Sequence, residues 1–129
     1  MSAKFNWTMN QGETTVLTYT RFESNGTTPD PFDDSPSATF KGQARTDYGG
    51  DLILDMPNSY FALNPDGAGG TAGDHIFRVT VPASVTAGIT APGKYVYDIE
   101  ITENPGQADE KITRVLEGTL IVTPEVTTS

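Results

Sequence analysis

Few residues of this chain have the types and spacing that chemistry requires. His75 is the only histidine, there is no cysteine, and no Gly-x-Ser-x-Gly motif surrounds a serine. Nucleophilic catalysis needs an activated side chain beside a base, and zinc sites typically need several nitrogen or sulfur ligands. The sequence therefore predicts no catalytic residue, and we expect His75 where a loop meets a strand, with its ring half exposed.

Two clusters of acidic residues lie in stretches that resemble loops. They comprise Asp30, Asp33 and Asp34 in a Pro-rich stretch, and Asp66 and Asp74 around a Gly-rich one. Calcium binds such carboxylates, but neither spacing matches the EF-hand loop. The run Gly67–Gly73 lacks the Lys-Ser/Thr pair and the following helix of a phosphate-binding loop. We therefore expect solvated turn residues here, with no metal and no cofactor.

Aromatic side chains, most of them in or beside the predicted loops and one on the predicted first strand, are the candidates for contact with a partner. Exposed apolar patches rimmed by polar residues mark such interaction sites. The candidate partner-contact residues are Trp7, Phe32, Tyr48, Tyr60 and Phe61. Phe32 is also expected to pin its loop to the core. Tyr95 and Tyr97, in contrast, alternate with polar residues and are predicted to face the core.

Composition and charge describe one acidic domain. The 129 residues suffice for a single core, and their net charge is −9. The eight Lys and Arg are scattered, so no cationic surface is available to nucleic-acid phosphates. The N-terminus lacks a signal-peptide pattern, and no run approaches the ~18 apolar residues of a membrane span. We expect synthesis in the cytoplasm and neither nucleic acid nor membrane as a partner.

Apolar residues that recur at every second position mark the predicted strands. The clearest is a hairpin in the last third, where Lys94–Thr102 is followed by turn formers and by Ile112–Thr123. The other apolar stretches are Phe5–Asn10, Thr15–Phe22, Ala38–Thr46, Leu52–Met56, Tyr60–Leu63 and His75–Val81. Pro82–Ile89 predicts one helical turn, because Pro suits the first position of a helix.

These elements predict an all-β fold in a single domain that spans residues 1–129, with short N- and C-terminal arms. Seven to eight short strands separated by turns favour a two-layer antiparallel β-sandwich of immunoglobulin-like architecture. One short helical turn near residues 82–89 completes it. Barrel closure is the structural alternative.

The predicted hairpin also carries a resemblance to a known family. GKYVYDIEIT (93–102) and ITRVLEGTLIVTPEVT (112–127) resemble a segment near the C-terminus of small structural proteins of tailed bacteriophages. QGET (11–14), ATFKGQAR (38–45) and VPASVTAGI (81–89) follow the order of that family. The chain is similar to the N-terminal immunoglobulin-like module of phage upper-baseplate proteins.

The resemblance implies a non-enzymatic component of the virion, made in the host cytoplasm. Such a protein would be an assembly or adaptor module in the tail, baseplate or fibre-attachment region. Its partners would be other virion proteins, namely baseplate, tail-fibre, neck or capsid subunits, together with copies of itself in a homo-oligomer. The loops Glu23–Pro36 and Asn64–Asp74 would carry partner specificity. The segments Met1–Asn10 and Pro124–Ser129 are candidates for strand exchange at a sheet edge.

Two alternative functions remain open at this point. One is a capsid decoration, or cement, protein that binds at the symmetry axes of the shell. The other is a host-surface carbohydrate-binding module, in which Trp7, Tyr48 and Tyr60 would be the stacking aromatics.

Overall fold

Two β-sheets account for most of the chain that the computed structural model describes, namely residues 3–21, 39–63, 76–89, 92–103, 106, 108 and 110–124. In chain order the elements are β1 (Ala3–Lys4), β2 (Trp7–Asn10), β3 (Thr15–Thr20), β4 (Thr39–Arg45), β5 (Leu52–Met56), a 3₁₀ turn (Asn58–Tyr60), β6 (Phe61–Leu63), β7 (Ile76–Val81), α1 (Ala83–Ala87), β8 (Gly93–Glu103) and β9 (Lys111–Thr123). No helix in these ranges is long and apolar enough to cross a membrane.

The larger sheet, sheet A, has the strand order β1-β9-β8-β4-β5. The strand β2 also pairs with β9, at residues that follow those paired with β1. The smaller one, sheet B, has the order β3-β7-β6. The strands pair antiparallel except β1 and β2, which run parallel to β9. The all-β, two-layer prediction is confirmed. The described ranges contain nine strands rather than seven or eight, because β1 precedes the predicted first strand.

The hydrophobic core lies between the facing surfaces of the two sheets. Phe40 of sheet A stacks on Phe61 of sheet B, with ring centroids 5.2 Å apart, and its centroid lies 5.0 Å from that of Phe77. Each such aromatic pair contributes about 1 kcal/mol beyond the area it buries. Phe77, Val79 and Val81 of β7 are fully buried, as their alternation predicts.

The hairpin of β8 and β9 forms the centre of sheet A. Tyr97, Ile99 and Ile101 are buried, which confirms the predicted inner face of β8. The register of the pair shifts between Ile99 and Glu100. In such a bulge one strand, here β9, has one extra residue that lacks an opposite partner. Two consecutive residues of β9 are therefore buried, Val115 and Leu116.

The predicted helical turn is also present, as α1. Pro82 is its N-cap residue rather than its first helical residue. The buried Thr86 donates its hydroxyl to the Glu13 carbonyl over 2.7 Å, and Gln11 Nε2 donates to the Ile89 carbonyl over 2.6 Å. These two bonds tie the turn between β2 and β3 to α1.

Three residues hold the N-terminal strands against sheet A, and we call Phe5, Tyr97 and Gly118 the N-terminal clasp. The Phe5 amide donates to the Glu117 carbonyl over 2.9 Å, and the Tyr97 hydroxyl donates to the Phe5 carbonyl over 2.7 Å. A Cβ at Gly118 would overlap the Phe5 carbonyl oxygen, so only glycine permits this approach. Burial raises the pKa of Tyr97 above its ordinary value, which keeps the hydroxyl protonated as a donor.

Candidate functional site

The outer face of sheet A is polar because the inner face of the same strands supplies the core. Successive side chains of a strand point to opposite faces. Buried Ala44 and Tyr97 therefore place Arg45 and Asp98 outward. The pairing puts Gln43 opposite Asp98, and Asp98 opposite Glu117, in one row across three strands. Local alternation thus supplies the polar groups, and strand register brings them together.

A tight turn between β4 and β5 stands at the edge of this face. Gly50 donates its amide to the Asp47 carbonyl over 3.0 Å, and Thr46 donates its amide to the Asp51 carbonyl over 3.0 Å. Gly49 has a φ of +81°, a backbone conformation that favours glycine. The turn leaves Tyr48 81% exposed. The structure therefore agrees with the expected placement of Tyr48 in a loop.

A pocket of about 240 Å³ lies between this turn and the outer face of sheet A. We call it the sheet A pocket, and its principal lining residues are Arg45, Tyr48, Val96, Asp98, Arg114 and Glu117. They come from β4, the following turn, β8 and β9. The site is therefore assembled from segments far apart in sequence.

Three charged side chains of the sheet A pocket contact one another, and Arg45 is held by uncharged groups. Arg114 Nε lies 3.3 Å from Asp98 Oδ2, and Arg114 Nη1 lies 3.6 Å from Glu117 Oε2. Arg45 Nη1 donates to the Gly50 carbonyl over 3.0 Å, and Nη2 donates to Gln43 Oε1 over 3.2 Å. Like charges directly opposite each other destabilise a sheet, so Arg114 offsets the repulsion between the two carboxylates. Both guanidinium groups are positioned before any ligand arrives.

The four candidate partner-contact residues that the structure describes do not form one surface. Trp7 is only 4% exposed, and its ring packs edge-on against Tyr97 with centroids 5.6 Å apart. The expectation of a surface role for Trp7 is therefore wrong, because β2 lies beside β9 and turns this ring into the core. Tyr48 is exposed, as described above. Phe32 lies outside the described residues.

Tyr60 and Phe61 are half-buried and pack against the core. They border an open depression on the outer face of sheet B, which Arg78 and Thr80 also line. The ring of Phe61 stacks on that of Phe40 in the core, so it is already in contact within the protein. These two residues are therefore separated from Tyr48, which lines a different concavity.

The residues considered for metal binding and catalysis, His75 and both acidic clusters, lie outside the described residues. Within the part of the chain that the structure describes, no group of three or more His, Cys, Asp or Glu is arranged to hold a metal ion. The sheet A pocket instead offers hydrogen-bond donors, acceptors and an exposed aromatic ring, which are the means of non-covalent binding.

Sequence reasoning missed Arg45, Asp98, Arg114 and Glu117 as members of one site. Their only local signal is their position between buried residues on predicted strands, which indicates an outward face. Comparison of the chain with protein-family models gives no match, and comparison with curated proteins gives no significant match. The chemistry of the pocket must therefore be inferred from its own residues.

Proposed function

We propose that the protein is a non-enzymatic structural component of a tailed-bacteriophage virion. It serves as an assembly or adaptor module in the tail, baseplate or fibre-attachment region. The resemblance of residues 93–102 and 112–127 to phage structural proteins supports this proposal. Those residues form most of β8 and β9, which are the centre of sheet A.

The observation that carries the proposal is the arrangement of the strands. Sheet A contains the order β9-β8-β4-β5, and sheet B has the order β3-β7-β6. In an immunoglobulin domain of the variable type, strands G, F, C and C′ form one sheet, and strands B, E and D belong to the other. The correspondence supports an immunoglobulin-like module, which is the architecture expected from the resemblance to upper-baseplate proteins.

Such a module works by presenting rigid surfaces to neighbouring subunits. The outer face of sheet A is a suitable contact surface, because three of its strands, β4, β8 and β9, hold polar side chains beside exposed Tyr48. The net charge of −9 keeps free copies soluble and apart before assembly. The partners that supply complementary charge are other virion proteins. Copies of the chain also associate with one another as a homo-oligomer in the particle.

The alternative within the same class is a capsid decoration protein. The same sandwich serves either location, because contact surfaces rather than the fold decide where a module binds. The charge of the outer face does not distinguish a shell partner from a tail partner. The two proposals therefore differ only in the place of the protein in the particle.

Localisation in purified virions tests both proposals. A short peptide tag on the chain, labelled with antibody and imaged by electron microscopy, is expected to appear on the tail or baseplate. Label on the shell would replace the tail proposal by the decoration proposal. A chain that mass spectrometry does not detect in purified particles would overturn both.

A further inference from the structure

Four of the charged side chains that line the sheet A pocket have partners within the protein, and a fifth, Asp47, lines it as well. Arg114 contacts Asp98 and Glu117, and Arg45 is bonded to the Gly50 carbonyl and to Gln43. A charged ligand would have to compete with these contacts, although the two ion pairs are 3.3 and 3.6 Å long and partly open to water. A neutral ligand can instead add hydrogen bonds to groups that are already positioned.

The same side chains retain capacity for further hydrogen bonds. A guanidinium carries about five N–H donors, and a carboxylate has about four lone-pair sites. The contacts described above use two nitrogen atoms of Arg114, two of Arg45 and one oxygen of Asp98. The pocket therefore offers donors and acceptors side by side, as a ligand with several neighbouring hydroxyl groups requires.

The pocket also has an apolar component. Tyr48 is 81% exposed and lines the pocket, and the aliphatic Val96 lies on the adjacent strand. An aromatic ring presents a flat surface that packs against C–H groups, while the tyrosine hydroxyl stays in water. The volume of the sheet A pocket, about 240 Å³, is below the ~300–1,000 Å³ of pockets for drug-sized ligands. The space suits one small ring.

We propose that the sheet A pocket binds one sugar residue of a neutral glycan. A sugar ring combines an apolar C–H face, which stacks on Tyr48, with hydroxyl groups. These hydroxyl groups donate to Asp98 and Glu117 and accept from Arg114 and Arg45. A net charge of −9 on the chain also favours a neutral glycan over an acidic one. This activity is additional to the assembly role, and it does not depend on that role.

Titration of the full chain by nuclear magnetic resonance tests the proposal. The probes are the methyl glycosides of glucose, galactose, mannose and N-acetylglucosamine, with methyl glucuronide as the acidic comparison. At least one neutral glycoside is expected to give saturable shifts at the amides of Tyr48, Val96 and Asp98, with a Kd near the millimolar range. Arg114 Nε–H is expected to shift with them.

Two variants at one position separate stacking from other effects. Tyr48→Ala is expected to weaken binding at least about tenfold, which corresponds to ~1.4 kcal/mol. Tyr48→Phe, which keeps the flat ring, is expected to bind as the natural chain does. Because Tyr48 is exposed, both variants should retain the dispersed spectrum of the folded chain.

Several outcomes would overturn the assignment. The absence of shifts at the pocket with every glycoside would end it, and so would unchanged binding by Tyr48→Ala. Tighter binding of methyl glucuronide than of the neutral glycosides would contradict the neutral ligand class. Shifts at these amides with a purified virion protein, but with no glycoside, would assign the pocket to protein contact.

Discussion

The two faces of the β8–β9 hairpin differ in what holds their side chains in place. On the inner face, Tyr97 and Leu116 are buried, and Gly118 meets the N-terminal strand in close contact. On the outer face, Asp98 and Glu117 are held by Arg114 and remain partly open to water. One face is fixed by packing, and the other by exchangeable polar contacts.

This difference separates stability from binding in one pair of strands. Burial of a large apolar side chain contributes ~2–3 kcal/mol, whereas an exposed ion pair contributes ~0–1 kcal/mol. Residues of the outer face can therefore change with little effect on folding. The four predictions that follow test this separation, beginning with the largest expected effect.

Gly118→Val should break the inner face. The new side chain overlaps the Phe5 carbonyl oxygen, so β1 must move away from β9. We expect the free energy of unfolding to fall by about 3 kcal/mol, as measured by urea denaturation. Gly88→Ala is the comparison: its Cβ would lie 3.3 Å from the Val85 carbonyl oxygen, a contact that a shift of a few tenths of an ångström relieves, so a smaller loss is expected. Equal effects of the two changes would contradict the proposed role of the clasp.

Tyr97→Phe should weaken the same face without a cavity. It removes only the hydroxyl that donates to the Phe5 carbonyl, and it leaves that part-buried acceptor short of one bond. We expect a loss of about 1–2 kcal/mol in the free energy of unfolding. Tyr48→Phe is the matched control on the outer side and should change stability by less than about 0.5 kcal/mol.

Alkaline pH should weaken the contribution of the buried Tyr97 to stability. Burial raises the pKa of Tyr97 in the folded chain above its value near 10 in the unfolded chain. The contribution of the Tyr97 hydroxyl to stability is therefore complete below pH ~10. It is lost as the pH rises above that value, because this hydroxyl then ionises only in the unfolded chain.

Urea denaturation at a series of pH values measures this effect. The stability advantage of the natural chain over Tyr97→Phe should shrink by up to about 1.4 kcal/mol per pH unit above pH ~10. An advantage that stays constant up to pH 11 would show that the Tyr97 hydroxyl does not control it.

Asp98→Asn should leave stability nearly unchanged, because it breaks an ion pair that is open to water. We expect a change within about 0.5 kcal/mol in urea denaturation. Leu116→Ala, a change on the inner side of the neighbouring strand, should cost ~2–5 kcal/mol under the same conditions. A cost of several kcal/mol for Asp98→Asn would contradict the separation of the two faces.

Much of the inner face follows from local pattern. Alternation in β7 and β8 identifies the buried residues, since a strand with one covered face has a period of two. Trp7 shows the limit of this reasoning. Its position on an alternating strand was evident, but its burial depends on its pairing with Leu120, 113 positions away.

The outer site was harder to predict for a similar reason. The turn-forming residues around Tyr48 indicate that its aromatic side chain lies in a loop, and this expectation needs only the local sequence. Contact of Arg114 with Asp98 and Glu117 depends on the register of β8 against β9, which shifts between Ile99 and Glu100. A bulge of one residue has no local signature in these strands, so the cluster was not predictable.

The parallel pairing of the N-terminal strands with β9 also decides how the domain responds to tension. Opposite forces applied at Ala3 and Thr123 would slide β2 along β9, since the two strands run in the same direction. Such shear loads the hydrogen bonds of the ladder together instead of opening them one by one. Resistance to pulling is then set by the rate of unfolding rather than by equilibrium stability. A domain with this connection transmits force between Ala3 and Thr123 with little lengthening.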